Sequence, residues 1–326
     1  MSFDYLTVQT AGRGQFQVPF LRGHRPPGVP AQQIMVLSPG LGMNAASLSH
    51  LASTYRDAGM DVYFVERRPT SARERLSPLQ QVFHDFRAAL SSVSAQCPTC
   101  EIGIGGYSLG GLTVIESASR PGFQANFPQV NRVVVLNSAH DMDRLPFHST
   151  LERGLSWVQP LARRTGVSSI AVPGAATRAT LLRGVIRRPE FGSSEARRIL
   201  ARDGFSDIDL PLLQEMMHHI GRREGFPGVS PENITLPVQI VAAGSDQFVS
   251  PERVREFRSR LTHSPQVEMT MIPELDHGDL LALHPETRVM PSIGISNSLS
   301  ISQLLRPRSK GECMIRALED LTRETQ

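Results

Sequence analysis

The stretch Glu101-Ile102-Gly103-Ile104-Gly105-Gly106-Tyr107-Ser108-Leu109-Gly110-Gly111 decides how the rest of the chain is read. It predicts a strand over 101–107 and a helix over 109–119, with Gly106-Tyr107-Ser108-Leu109-Gly110, a Gly-x-Ser-x-Gly pattern, at the turn between them. So sharp a turn strains the serine backbone and crowds the neighbouring chain, so the positions two before and two after it must lack large side chains. Ser108 is then lifted above the sheet edge, at the start of a helix whose dipole favours developing negative charge. The pattern alone is common by chance, and a glycine-rich strand-to-helix turn also suits a phosphate. Here, however, the P-loop lysine is missing and Leu109 stands where a pyrophosphate would need room.

Outward from this turn the chain keeps a strand-helix rhythm. Residues 34–38 form an apolar run ending in Pro39-Gly40 and predict the first inner strand. A helix follows around 47–58, a strand over 61–65, and an amphipathic helix over about 72–95 with Leu79, Val82, Phe83, Phe86 and Leu90 along one face. After the central turn comes a strand over 132–137. The order predicts an α/β fold with a mostly parallel central sheet flanked by helices. Residues 1–30 alternate weakly and read as an antiparallel hairpin at the sheet edge.

Between 141 and 231 the rhythm stops, and arginine-rich, helical-looking pieces broken by glycine and proline replace it, including 195–202 and 210–222. This is read as an inserted helical lid, with 1–140 and 232–326 forming the core. The rhythm resumes with a strand over 238–243, a helix opening at Pro251 and a strand over 267–272, and the chain is expected to end in a helix over 311–325. Met142, Leu145, Phe147, Leu151, Leu155 and Trp157 open the insertion at near-helical spacing, which suits an acyl-binding wall or ordinary packing on the core.

A serine hydroxyl is a weak nucleophile at neutral pH and needs a base within hydrogen-bond reach, with a carboxylate to fix the tautomer of that base. Asp246, in Gly244-Ser245-Asp246-Gln247-Phe248, follows the strand 238–243, and His277, in Asp276-His277-Gly278-Asp279, follows the strand 267–272. Both therefore fall at the carboxyl edge of the sheet with Ser108, in the chain order Ser, Asp, His expected of this architecture. Acyl transfer also needs donors for the oxyanion of the tetrahedral intermediate. The backbone amide of Leu109 is one candidate, and that of Leu41, in Pro39-Gly40-Leu41-Gly42-Met43-Asn44, is the other.

With these residues in place the chain resembles the α/β-hydrolase superfamily over roughly residues 3–283, and its insertion is similar to the lids of monoacylglycerol-lipase-like and serine-aminopeptidase-like members. The resemblance implies Ser108 as nucleophile, Asp246 as acid and His277 as base. It departs at Pro39-Gly40, where the family commonly reads His-Gly, so Leu41 is placed by the alignment of Gly40 alone. The tail after His277 is also longer than a single closing helix requires.

Rivals for these roles exist. His284 lies seven residues past His277, on a helix that would carry it away from the strand edge. Asp141 and Asp143 follow the strand 132–137, where some members of the fold keep their acid, and His140, beside them, is read as a pocket-lining or packing residue.

Composition narrows the class. The 326 residues carry a formal net charge of +3, and all basic side chains but Lys310 are arginine. Arg67, Arg68, Arg73 and Arg75 cluster, which suits either an anionic partner or salt bridges on solvated faces. No run approaches the roughly 18 apolar residues a membrane helix needs, and the first thirty residues hold no signal-peptide core, so the chain is read as a cytoplasmic protein without an integral membrane segment. Cys97 and Cys100 lack the further ligands a zinc site requires and are read as a loop disulfide or two plain thiols. The expected reaction is cleavage of an ester or thioester of a small acyl substrate, with no cofactor, no metal and no nucleic acid. Acyl transfer or thioesterase chemistry in a biosynthetic pathway, and non-catalytic ligand binding on the same fold, are the alternatives.

Overall fold

In the first two strands, β1 (Asp4–Thr10) and β2 (Gly14–Leu21), every second side chain is turned inward over most of their length, and they pair antiparallel from Asp4 with Phe20 to Thr10 with Gly14. Alternation of this kind buries one face and leaves the other in water, which suits the edge of a sheet. The inner strands read differently. Strands β3 (Gln33–Ser38), β4 (Asp61–Phe64), β5 (Glu101–Tyr107) and β6 (Val130–Leu136) are buried along nearly their whole length, because helices cover both faces. This computed structural model describes residues 3–10, 14–26, 28–70, 75–143, 169–170, 194–220, 225–282, 288–289 and 299–300.

Two short strands, β7 (Ser169–Ile170) and β8 (Ile208–Asp209), pair with each other outside the main sheet, and β9 (Val238–Ala243) and β10 (Val267–Ile272) complete it. The eight-stranded order is β1-β2-β4-β3-β5-β6-β9-β10, parallel from β4 to β10 with the β1–β2 hairpin antiparallel at one edge. The chain leaves β3 toward β4 and returns past it to β5, so the connections diverge between β3 and β5 at their carboxyl ends. A crevice forms at such a divergence.

Right-handed crossovers send the two connecting helices to opposite faces. Helix α1 (Ala45–Asp57) buries Leu48, Leu51 and Tyr55 against Met35, Leu37, Val62 and Phe64. Helix α2 (Pro78–Gln96), with α3 (Leu109–Ser119), buries Phe83, Phe86, Leu90, Leu112 and Ile115 against Ile34, Val36, Ile102 and Ile104 on the other face. Successive strand residues thus feed two apolar layers, and truncating one such side chain, Phe86→Ala for example, would cost about 3–5 kcal/mol. A short helix, α4 (Phe123–Asn126), leads into β6.

The long amphipathic helix begins at Pro78, six residues later than its apolar spacing predicts. Ser77 and Gln80 form a reciprocal capping box there and Pro78 opens the first turn, where its missing N–H costs nothing. Of the expected lid, 141–231, the described parts are β7, β8, α5 (Ser194–Asp203) and α6 (Leu210–His219), with a 3-10 turn at Pro231–Asn233. Met142 belongs to the core below α3, whereas the other five residues of the suggested acyl wall lie outside the described residues. Helix α7 (Pro251–Arg260) covers β9 and β10, and a short helix, α8 (Asp279–Ala282), follows the last strand. His284 and the helix expected over 311–325 lie outside the described residues.

Cys97 and Cys100 are joined by a disulfide in the turn before β5, one of the two readings left open. The seven residues of β5 separate this bridge from Ser108 by about 20 Å at 3.3 Å per residue. Among the described residues no helix is long and apolar enough to cross a membrane.

Candidate active site

The turn between β5 and α3 is set by its glycines. Ser108 has φ 54° and ψ −121°, a region L-residues rarely occupy. A Cβ on Gly106 would overlap the Gly110 carbonyl, and a Cβ on Gly110 would overlap the Ser38 carbonyl of β3. Both obstacles are backbone and cannot swing aside. Cross-strand register, Ser38 with Gly106, then brings the end of β3 beside Ser108.

Around that hydroxyl the structure gathers the three residues expected from the sequence. His277 Nε2 lies 3.0 Å from Ser108 Oγ, and His277 Nδ1 lies 2.6 Å from Asp246 Oδ2. With Nδ1–H directed at the carboxylate, Nε2 presents its lone pair to the serine proton. Asp246 is fixed in turn, since its Oδ1 accepts the backbone N–H groups of Phe248 at 2.7 Å and Val249 at 3.0 Å. Asp246 and His277 are buried, while Ser108 keeps partial exposure to the crevice.

Two further residues hold His277. The His277 backbone carbonyl accepts from Asn137 Nδ2 at 2.6 Å and from the Tyr107 hydroxyl. Asn137 Oδ1 accepts the Ala243 N–H at 2.7 Å, so one buried side chain ties the ends of β6 and β9 to the histidine loop. Burial pushes the Tyr107 hydroxyl well above its ordinary pKa of 10, which keeps it a donor. The rings of Tyr107 and Phe248 flank the imidazole at 5.2 and 4.9 Å between centroids. Asn137 has φ 43°, and an asparagine at a strand end, where the left-handed region is tolerated, was its only sequence signal. Nothing in the sequence marked Tyr107 beyond its place in the motif.

The loop 39–44 lies against the turn between β5 and α3, where a Cβ on Gly40 would be 3.3 Å from the Ser108 Cβ. Among the described residues, neither the Leu41 nor the Leu109 amide has an acceptor, and Leu109 is in the first helical turn, where such amides are left open. Arg67, directly after β4, donates to the backbone carbonyls of Pro39 at 2.9 Å, Met43 at 3.2 Å and Gly40. From the insertion, Gly204 and Asp203 carbonyls accept from Asn44, the Ser206 N–H donates to Gly42 at 2.9 Å, and Phe205 bridges to Met43. Asp209, which caps α6, also accepts from Thr70 N–H and hydroxyl. Residues 203–209 are thus fastened to the loop 39–44 and to Thr70.

The rival acids are engaged elsewhere. Asp143 accepts the Ser250 N–H at 2.6 Å and pairs with Arg253, which also lies 3.4 Å from Asp141. His140 packs against Phe257, and burial lowers its pKa to about 4, with Arg260 adding to the effect. Asp143, which also donates its N–H to the Phe248 carbonyl at 3.0 Å, thus braces the turn that carries Asp246. Of the arginine cluster, Arg68 pairs with Asp85 and Arg67 donates to backbone carbonyls, Arg75 is exposed, and Arg73 lies outside the described residues. Among the described residues no group of three His, Cys, Asp or Glu side chains is arranged to hold a metal.

The sequence model of the family described as Hydrolase_4, serine aminopeptidase, S33, matches residues 29–281. No curated protein matches the chain in sequence. Among solved structures, a soluble variant of monoglyceride lipase from Saccharomyces cerevisiae is similar, with a TM-score of 0.62 and 14% identity over 85% of this chain and 87% of that one. A thermostable carboxyl esterase from Bacillus coagulans gives 0.56 and 14% over 85% and 92%, and an esterase from Thermogutta terrifontis gives 0.55 and 13% over 98% of both chains. At such identities the likeness is one of fold.

Proposed function

The chain belongs to the serine aminopeptidase S33 family of α/β hydrolases, and from that premise we propose that it cleaves a carboxylic ester or thioester of a small acyl substrate through an acyl-enzyme on Ser108. The observation that carries this reading is the unbroken hydrogen-bond chain from Ser108 Oγ through His277 to Asp246, at 3.0 and 2.6 Å. Ser108 attacks the carbonyl carbon as His277 Nε2 takes its proton, and Asp246 stabilises the imidazolium. The Leu41 and Leu109 amides receive the oxyanion. His277 then gives its proton to the leaving alcohol or thiol, and a water activated by the same imidazole releases the acid. In this reading the segment 141–231 is the lid, and its residues 203–209 fasten to the loop 39–44 and to Thr70. The esterases and the lipase of similar fold support the choice of ester over peptide, as a proposal for this chain.

The test is turnover of p-nitrophenyl esters from acetate to palmitate, with matching acyl thioesters, by the full chain and by Ser108→Ala. Turnover by the wild type and its loss in the variant, by about 10⁴-fold or more, is expected. Saturable substrate binding without turnover in either protein would contradict the proposal and favour a ligand-binding role.

A further inference from the structure

The loop 39–44 lacks the histidine that commonly precedes its glycine in this superfamily, yet it holds an open amide at Leu41. The reason lies on its other side. Arg67 presents a planar fork, and Nη1 takes the Pro39 carbonyl while Nη2 takes those of Gly40 and Met43. A trans peptide is planar, with its N–H directed opposite to its C=O. Fixing the Pro39 and Gly40 carbonyls on Arg67 therefore directs the N–H groups of Gly40 and Leu41 away from it. The loop at this point lies against the nucleophile, since a Cβ on Gly40 would be 3.3 Å from the Ser108 Cβ.

We propose that Arg67 is the positioning residue of the oxyanion hole, aiming the Leu41 N–H at the oxygen that develops beside Ser108; this rests on the hydrolase reading above. Among the described residues Arg67 has no carboxylate within ion-pair distance, and its close partners are carbonyls alone. Burial lowers its pKa to about 10, so it remains charged at neutral pH. A guanidinium on the carbonyl side polarises the peptide and strengthens the N–H on the far side, by about 10–30% per bond in such chains. A neutral donor would brace the loop without that polarisation, and a lysine would supply charge without the fork.

The experiment compares wild type, Arg67→Met and Arg67→Lys in ester turnover and in the amide signal of Leu41 on addition of phenylboronic acid. The boronate forms a tetrahedral adduct on a reactive serine and places an oxygen in the hole. Carbonyl-13C glycine with 15N leucine leaves three amides, Leu41, Leu112 and Leu155, and Leu41→Ile identifies the signal of Leu41 by its loss. In the wild type the adduct should move the Leu41 proton downfield. In Arg67→Met that response should vanish and kcat should fall about 10²-fold, with KM within about threefold. Arg67→Lys, the milder change for folding, should lose about tenfold and keep part of the Leu41 response. A boronate adduct in Arg67→Met with an unchanged Leu41 response and kcat would overturn the assignment while leaving the hydrolase reading intact. A wild type that forms no adduct would overturn both.

Discussion

The turn that carries Ser108 and the loop 39–44 lie against each other at the sheet edge, and their geometry comes from different sources. The turn is fixed by close backbone approach at two glycines: Gly106 lies against the Gly110 carbonyl and Gly110 against the Ser38 carbonyl of β3, and the strained φ of Ser108 follows from that crowding. The loop is held from afar, by Arg67 after β4 on one side and by residues 203–206 of the insertion on the other. The first arrangement tolerates almost no substitution at its glycines. The second distributes its restraint over several hydrogen bonds, each worth about 1 kcal/mol net, and so ties the loop 39–44 to the position of residues 203–206.

The largest effect expected in testing this contrast is on the base itself. Asp246→Asn should lower kcat by about 10⁴-fold with little change in melting temperature, because the imidazole loses the partner that sets its tautomer. Equal kcat in the variant, measured with the best ester, would show that another carboxylate serves His277. Gly110→Ala should come next. The added methyl meets the Ser38 carbonyl, so the turn must open, with a loss of about 3 kcal/mol in urea unfolding and at least 10²-fold in activity. A variant as stable and active as the wild type would remove the steric account of the motif.

A third effect is read as pH dependence. His140 packs against Phe257 of α7 and has its pKa lowered from 6.5 to about 4, chiefly by burial, so the unfolded chain binds its proton more readily than the folded one. That stability is fully present above pH 6.5 and is lost as pH falls from 6.5 toward 4, by up to about 3 kcal/mol at 1.36 kcal/mol per unit. His140→Phe should flatten this part of the stability curve in denaturant titrations, and an unchanged slope would assign the acid sensitivity to other groups. The smallest effect belongs to the distributed side. Asn44→Ala removes the cap of α1 and the bond to the Asp203 carbonyl, for about 1–2 kcal/mol and a severalfold fall in kcat. A fall in KM alone would separate the insertion from the oxyanion loop.

The same contrast explains what could be read from the sequence. Strands β5, β9 and β10 and helix α3 appear at the residues their patterns predict, because each is bounded by glycine or proline at a turn the fold requires. Ser108, Asp246 and His277 were legible for a related reason: each follows a strand, and strand ends share one sheet edge. Arg67, Asn137 and Tyr107 were not legible in their roles. Their partners are backbone atoms 24 to 170 residues away, and no spacing rule connects an arginine after β4 to a carbonyl after β3. Helix α2 was drawn too long because its apolar spacing continues past the capping box that stops it, and a cap made by Ser77 and Gln80 outweighs that periodicity.

Labelling with a fluorophosphonate probe tests the account at its centre. The probe reacts only with a serine whose proton is withdrawn by a neighbouring base, and peptide mapping then locates it. The geometry at Ser108 predicts one adduct, on the peptide containing Gly106-Tyr107-Ser108-Leu109-Gly110, absent from Ser108→Ala and slowed by about 10⁴-fold in Asp246→Asn. Equal labelling of the Ser108→Ala protein, or an adduct mapped to a different serine, would contradict it.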